Sequence, residues 1–224
     1  MSNGAMVRVS AATASEVCKR FAPGEAAREL LREEMTPRPY LDLLIAREEF
    51  PDATRFLAHA LPRREAVWWA CLCARKVAGE DPPAPVLAAL RAAEAWVAEP
   101  SEENRREALP AAEAAGYGTP AGCAAAAAFW SGGSLAPPNL PAIPPAEHLS
   151  AHGAACAVML AAVATEPEKA PEKSRAFLRL GSEIAEGAHP WPEPAPPARP
   201  EPSATQPAPR ATSPKAPRTT LKWD

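Results

Sequence analysis

The apolar and polar positions of this chain alternate with a helical period, and proline and glycine break them into short segments. Thr13-Ala-Ser-Glu16 has capping-box spacing: a hydroxyl that accepts the amide three residues on, and an acid that reaches back, ahead of VCKRF. In GEAARELLREEM the apolar positions Ala26, Leu30, Leu31 and Met35 recur at helical spacing. Thr36-Pro37, an N-cap followed by proline at the first helical position, opens RPYLDLLIAREEF. Pro51 opens DATRFLAHA, and Pro62 opens RREAVWWACLCARKVA, which Gly79 closes. Pro82 to Pro85 open VLAALRAAEAWVAE. Ser101, with acids behind it, caps ENRREALPAAEAA, where Pro110 is expected to kink or split the helix. Thr119-Pro120 opens AGCAAAAAFW, which ends at Ser131-Gly132-Gly133. SLAPPNLPAIPP reads as a proline-rich ordered loop or linker, AEHLSAHGAACAVMLAAVAT as another helix, and EKAPEKSRAFLRLGSEIAEG as the last, starting near Ala170-Pro171. No run alternates β-branched and polar residues as a strand does. The pattern predicts an all-α domain over residues 7–187, about nine or ten short helices forming a compact orthogonal bundle or an array of helical hairpins.

From residue 188 to 224 the pattern changes. HPWPEPAPPARPEPSATQPAPRATSPKAPRTTLKWD holds eleven of the 29 prolines, and few residues able to form a core. Such a segment cannot offset the entropy of ordering it, so a disordered, partly polyproline-II tail is expected. Arg199, Arg210, Lys215, Arg218 and Lys222 outnumber Glu193, Glu201 and Asp224, which makes it mildly basic. Its last residues, RTTLKWD, return to apolar side chains at alternate positions. Leu221 and Trp223 would point to one side of an extended chain, the form of a docking peptide that adds as a strand or inserts its tryptophan in a pocket.

Composition narrows the classes. Hydrophobic residues are 47% and charged residues 23% of 224, as in a soluble globular protein. A net charge of −3 lacks the basic footprint of a nucleic-acid-binding domain. The first residues show no charged region followed by an apolar stretch, and the longest apolar run, around Ala154–Ala164, is short of the roughly 18 residues a membrane span needs. Five cysteines, an odd number scattered over Cys18, Cys71, Cys73, Cys123 and Cys156, fit reduced thiols in a cytoplasmic protein better than a disulfide framework. No cofactor is expected.

Each conspicuous cluster has a plain structural reading. Cys71 and Cys73 lie two apart, so on a continuous helix their sulfurs diverge by roughly 200° and cannot chelate one ion. Trp68 and Trp69 diverge by about 100° on a segment that is apolar all round, which places them in the core. Cys71, Leu72, Trp96, Phe129 and Trp130 join them as expected core residues. His148 and His152 stand at i and i+4, on one helix face as a metal pair requires. Glu147 faces elsewhere, and a third ligand would come from His59 or Glu166. Ser131-Gly132-Gly133-Ser134 follows a helix, so it ends one rather than cradling phosphate at the start of the next. Arg63-Arg64-Glu65 and Asn104-Arg105-Arg106-Glu107 read as ion-paired knots. Arg63, Arg64, Arg105 and Arg106 are the arginines that would meet an acidic partner.

Three blocks are distinctive: PDATRFLAHALPRREAVWWACLCAR, AEAWVAEPSEENRREAL and AAEAAGYGTPAGCAAAAAFWSGGSLAPP. On the phrases LAHALP-x-REAVWWACLCAR and FWSGGSLAPP the chain resembles an uncharacterised bacterial family built on a domain of unknown function, over about residues 7 to 165. The resemblance implies a bacterial, mostly helical domain, loosely associated with secretion-system or signalling components. It carries no activity and no site residues. The functional expectation is therefore a non-enzymatic interaction or adaptor protein, its helical body and tethered C-terminal peptide binding protein partners. The alternative is a metal-binding or enzymatic domain centred on His148 and His152. Neither a membrane nor a nucleic acid is an expected partner.

Overall fold

The computed structural model describes residues 4–191. Most of the expected tail, with Leu221 and Trp223, lies outside the described residues. The domain is all-α, with no strand among the described residues. In chain order the helices are α1 (Ala14–Cys18), α2 (Glu25–Leu30), α3 (Pro37–Ala46), α4 (Phe50–Ala60), α5 (Arg63–Val77), α6 (Ala84–Ala98), α7 (Glu102–Ala115), α8 (Pro120–Phe129), α9 (Leu149–Ala164) and α10 (Ala170–Ala185), the last entered through a 3-10 turn at Pro167–Lys169.

Local chemistry sets the starts. The hydroxyls of Thr13, Ser101 and Thr119 accept the amides of Glu16, Asn104 and Gly122 at 3.3, 3.2 and 3.0 Å, each satisfying an amide that a helix start leaves without a partner. Glu16 reaches back to the amide of Ala12, 3.0 Å away, one residue ahead of the cap. Thr36 has the extended backbone of an N-cap but makes no capping bond, so Pro37 alone starts α3. Pro110 sits inside α7, which runs unbroken through it on an exposed face.

The centre of the domain is α8. Every residue from Ala121 to Phe129 is buried, and α5, α6, α7 and α9 all pack against it. Alanine makes this possible: a helix with one-carbon side chains has a narrow waist, so four neighbours can close around it and gain dense contact. Helix α9 comes close at Gly153, where an added Cβ would stand 3.0 Å from the Cβ and 3.1 Å from the Cα of Ala127. The tryptophan-bearing α5 shares the core but is not enclosed all round: Trp69, Cys71 and Cys73 are fully buried, Leu72 is half-buried, and Arg75 and Lys76 face out. Trp96 and Phe129 are buried and Trp130 half-buried.

The two adjacent tryptophans diverge to different partners. The Trp69 indole donates to the Phe177 carbonyl of α10 at 2.8 Å. One turn further on, Gly181 lets α10 settle on Trp69 and Leu57, because a Cβ there would lie 2.7 Å from each side chain. Trp68 donates to the His189 carbonyl at 2.8 Å, and the Arg64 guanidinium lies 3.9 Å over the Trp191 ring. Packing against the body thus reaches Trp191, past the boundary expected at residue 188.

Replacing Trp69 by alanine should destabilise the domain by about 3–5 kcal/mol, the range for a large buried side chain. Gly122→Ala should cost about 1–3 kcal/mol through overpacking, since its Cβ would fall 2.1 Å from the Gly116 carbonyl oxygen. Chemical denaturation measures both, and a wild-type midpoint for either variant would refute the packing described.

Candidate functional site

An enclosed helix must satisfy its last carbonyls without water, and α8 does so with side chains from distant segments. Arg105, 3% exposed, donates to the Phe129 carbonyl at 2.6 Å and to the Ser134 carbonyl at 3.0 Å, and pairs with Glu102 at 2.6 Å. Ser150 donates to the Ala127 carbonyl at 2.9 Å. Arg63 donates to Ser131 at 2.8 Å and Arg106 to Ala136 at 3.1 Å. Arg64 does the same for α6, donating to the carbonyls of Val97 and Ala98 at 2.6 and 2.8 Å. Cations at carboxyl ends also oppose the helix dipole. Hydrogen bonds and charge from Arg105, then Arg106, hold the Glu102 carboxyl down to about 2. Each of the four arginines expected to meet a partner therefore has its guanidinium on the domain's own carbonyls. Carbonyls carry no sequence signature, so nothing in the chain's spelling pointed to them.

These bonds also set the loop between α8 and α9. The Ser134 hydroxyl accepts the amides of Ala136 and Ile143, both at 3.0 Å, and Leu135 donates to the Ile143 carbonyl at 2.8 Å. Gly133, at φ +63°, passes against Arg105 where a Cβ would be 2.8 Å from Nε. The Ser-Gly-Gly-Ser stretch is thus a helix terminator wrapped around a buried arginine.

The loop delivers the chain to the start of α9, which borders two recesses. The first is a cleft of about 560 Å³ where the end of α1, the α4–α5 turn and the start of α9 meet. Lys19, Arg20, His59, Arg63 and His148 line it, with Glu147 as the acid among its lining residues. Arg20 donates to the His59 carbonyl at 2.8 Å. The His59 ring stacks on Phe21 with centroids 5.2 Å apart. His59 is 6% exposed. Burial first, then the charges of His152, His148 and Arg20, push its pKa down to about 4.

The second recess is an apolar groove of about 390 Å³ between α8 and α9. Tyr117 and Trp130, stacked with centroids 6.3 Å apart, form one wall. Ala126 and Gly153 form part of its lining, with Cys156, Met159 and Leu160 along α9. His152 lines this groove, whereas His148 lines the cleft. The histidine pair is therefore divided between two recesses. Among the described residues no group of three or more His, Cys, Asp or Glu is placed to hold a metal ion. Burial raises the thiols of Cys71 and Cys73 well above their ordinary value, and that of Cys123 to about 11. The Cys123 thiol lies 3.0 Å from the Tyr117 carbonyl. No helix among the described residues is long and apolar enough to cross a membrane.

Fold and recesses together define an all-helical domain with a cationic cleft and an apolar groove, both bordered by α9. The chain belongs to the family of unknown function DUF6931, whose sequence profile matches residues 40–185, from within α3 to the end of α10. No curated protein and no solved structure matches it. Lys19 and Arg20, which line the cleft, and Phe21, which stacks on His59, precede the matched segment, so the cleft draws on residues both inside and outside it.

His59 gives the domain a pH dependence of definite sign. The folded state holds the ring neutral until about pH 4, whereas the unfolded chain protonates near pH 6.5. Its contribution is complete above pH 6.5, falls as the pH drops through that value, and is gone below about 4. The loss is on the order of 3 kcal/mol. Denaturant unfolding of wild type and His59→Gln should show the difference in stability shifting by that amount between pH 7 and 4. A difference independent of pH would show that His59 does not titrate in this window.

Proposed function

We propose that the protein is a non-enzymatic bacterial interaction module, acting in the cytoplasm, whose α8–α9 groove receives an amphipathic helix of a protein partner. One observation carries this reading. Helix α9, LSAHGAACAVMLAAVA, is apolar on all sides, the pattern of a helix that is normally enclosed. Its inner face, from Gly153 through Ala161, is buried. The outer stripe is not covered by the described residues: Cys156, Met159 and Leu160 are half-buried and Val163 is 48% exposed. From His152 to Val163 that stripe follows helical spacing over about 16 Å, the length of three turns. A partner helix with anchors at i, i+4 and i+7 matches it, and Tyr117 and Trp130 supply an aromatic wall of the kind that forms binding hot spots. The raised thiols support a reading without thiol chemistry. Leu221 and Trp223 serve in this proposal as a second contact on a tethered segment, which raises effective concentration.

A photocrosslinking residue at position 163 in the full chain, with exposed position 91 as control, should capture one partner segment with apolar side chains at helical spacing. A synthetic peptide of that segment should bind the full chain, and Met159→Glu or Val163→Glu should weaken it about tenfold or more. Trp223→Ala should lower affinity for the whole partner while leaving the crosslink at 163 intact. A crosslink to a second copy of this chain, or none above the control, would overturn the reading.

A further inference from the structure

The cleft has a different chemistry and points to a different ligand. Lys19, Arg20 and Arg63 bring three basic side chains against the single carboxylate of Glu147. Arg20 and Arg63 each commit one donor to a carbonyl, His59 and Ser131 respectively, which steadies the guanidinium and leaves its other N–H groups available. Two long helices begin at the cleft wall. Neither α5, entered at Pro62, nor α9, entered at His148, has a side chain capping its first amides. Uncapped amides and the positive end of the dipole favour an anion.

His59 supplies an independent observation. It is 94% buried by its 6% exposure, and its ring has no hydrogen-bond partner among the described residues. No fully buried side-chain nitrogen or oxygen among those residues lacks a partner. The ring nitrogens of His59 must therefore hold part of the little surface it keeps, and His59 is one of the residues that line the cleft. With no protein group bonded to them, those nitrogens are left to solvent or to a ligand in the cleft.

We propose that the cleft binds the phosphoryl group of a small phosphorylated molecule, held by Lys19, Arg20, Arg63 and His148, with His59 at its floor. The donors come from three separate chain segments, which suits a tetrahedral group approached from several directions better than a planar carboxylate. The volume of about 560 Å³ leaves room for an organic portion and lies in the range of small-molecule sites. This site is separate from the groove, and neither depends on the other.

The test uses the full-length protein and calorimetric titration at constant ionic strength, with inorganic phosphate and glycerol phosphate as probes, succinate as a dicarboxylate and chloride as the blank. Phosphate should bind saturably and glycerol phosphate more tightly. The His59 and His148 ring proton resonances should shift with the same midpoint. Lys19→Ala should weaken phosphate about tenfold, the loss of one charge-assisted bond, and Glu147→Gln should strengthen it. Both positions are exposed, so these variants carry the test even if His59→Phe fails to fold. Val163→Glu should leave phosphate binding unchanged. A response to phosphate no greater than to chloride, tighter binding of succinate, or an affinity indifferent to Lys19→Ala and Glu147→Gln would each overturn the proposal.

Discussion

The closure of four helices around α8 is the constraint from which the rest of the structure follows. Its alanines bury little area each, so their contribution comes from close approach, as at Gly153 over Ala127, where dispersion contacts are dense. Enclosure has a consequence at the carboxyl end. Water cannot reach the last carbonyls, so Arg105 and Ser150 take them from neighbouring helices. Arg105 also holds Ser134, and so the turn by which the chain leaves α8. The loop is pinched at Ser134, and the chain then arrives at His148, where α9 begins. Both recesses border α9, so the placement of the candidate sites descends from the packing of an alanine helix.

Much of the fold was legible because it was written in local patterns. Thr13, Ser101 and Thr119 announced helix starts in hydroxyl spacing, and Gly79 and Gly133 marked ends by positive φ. The divergence of Trp68 and Trp69 followed from helical geometry alone. What the pattern could not rank was centrality. Tryptophan draws the eye to α5, yet the most enclosed element is built from the smallest side chains, because enclosure depends on how closely neighbours can approach. Nor could it show that Pro110 would leave α7 unbroken, which turns on that residue facing solvent.

The sites were less legible, for a different reason. Arg63, Arg64, Arg105 and Arg106 read as ion-paired knots that would meet an acidic partner because a sequence displays side-chain donors but never the carbonyls that receive them. Of these four, Arg63 lines the cleft, and it does so while bonded to Ser131. His148 and His152 looked convergent because i and i+4 share a face of a helix. His148, however, stands at the N-cap position, ahead of the first full turn, and the two rings line different recesses. His59 drew notice only as a spare metal ligand. Its burial, and the pKa that burial and then the charges of His152, His148 and Arg20 depress, arise only in the folded chain.

A net charge of −3 is a statement about long-range attraction, which salt screens beyond roughly 10 Å. It argues against a polyanion spread over the surface, and it has no bearing on a cleft whose cations lie within a few ångströms of a ligand. The whole-chain balance and the local balance differ in sign here because the acids sit elsewhere: Glu102 with Arg105 and Arg106, Glu94 with Arg75, Glu48 with Arg175. Those pairs neutralise cations that cap or brace the helices. Lys19, Arg20 and Arg63 make no salt bridge among the described residues, and they line the one recess that also holds a buried histidine without a hydrogen-bond partner. Net charge is therefore a poor guide to what such a domain binds, and the distribution of its unpaired cations a better one.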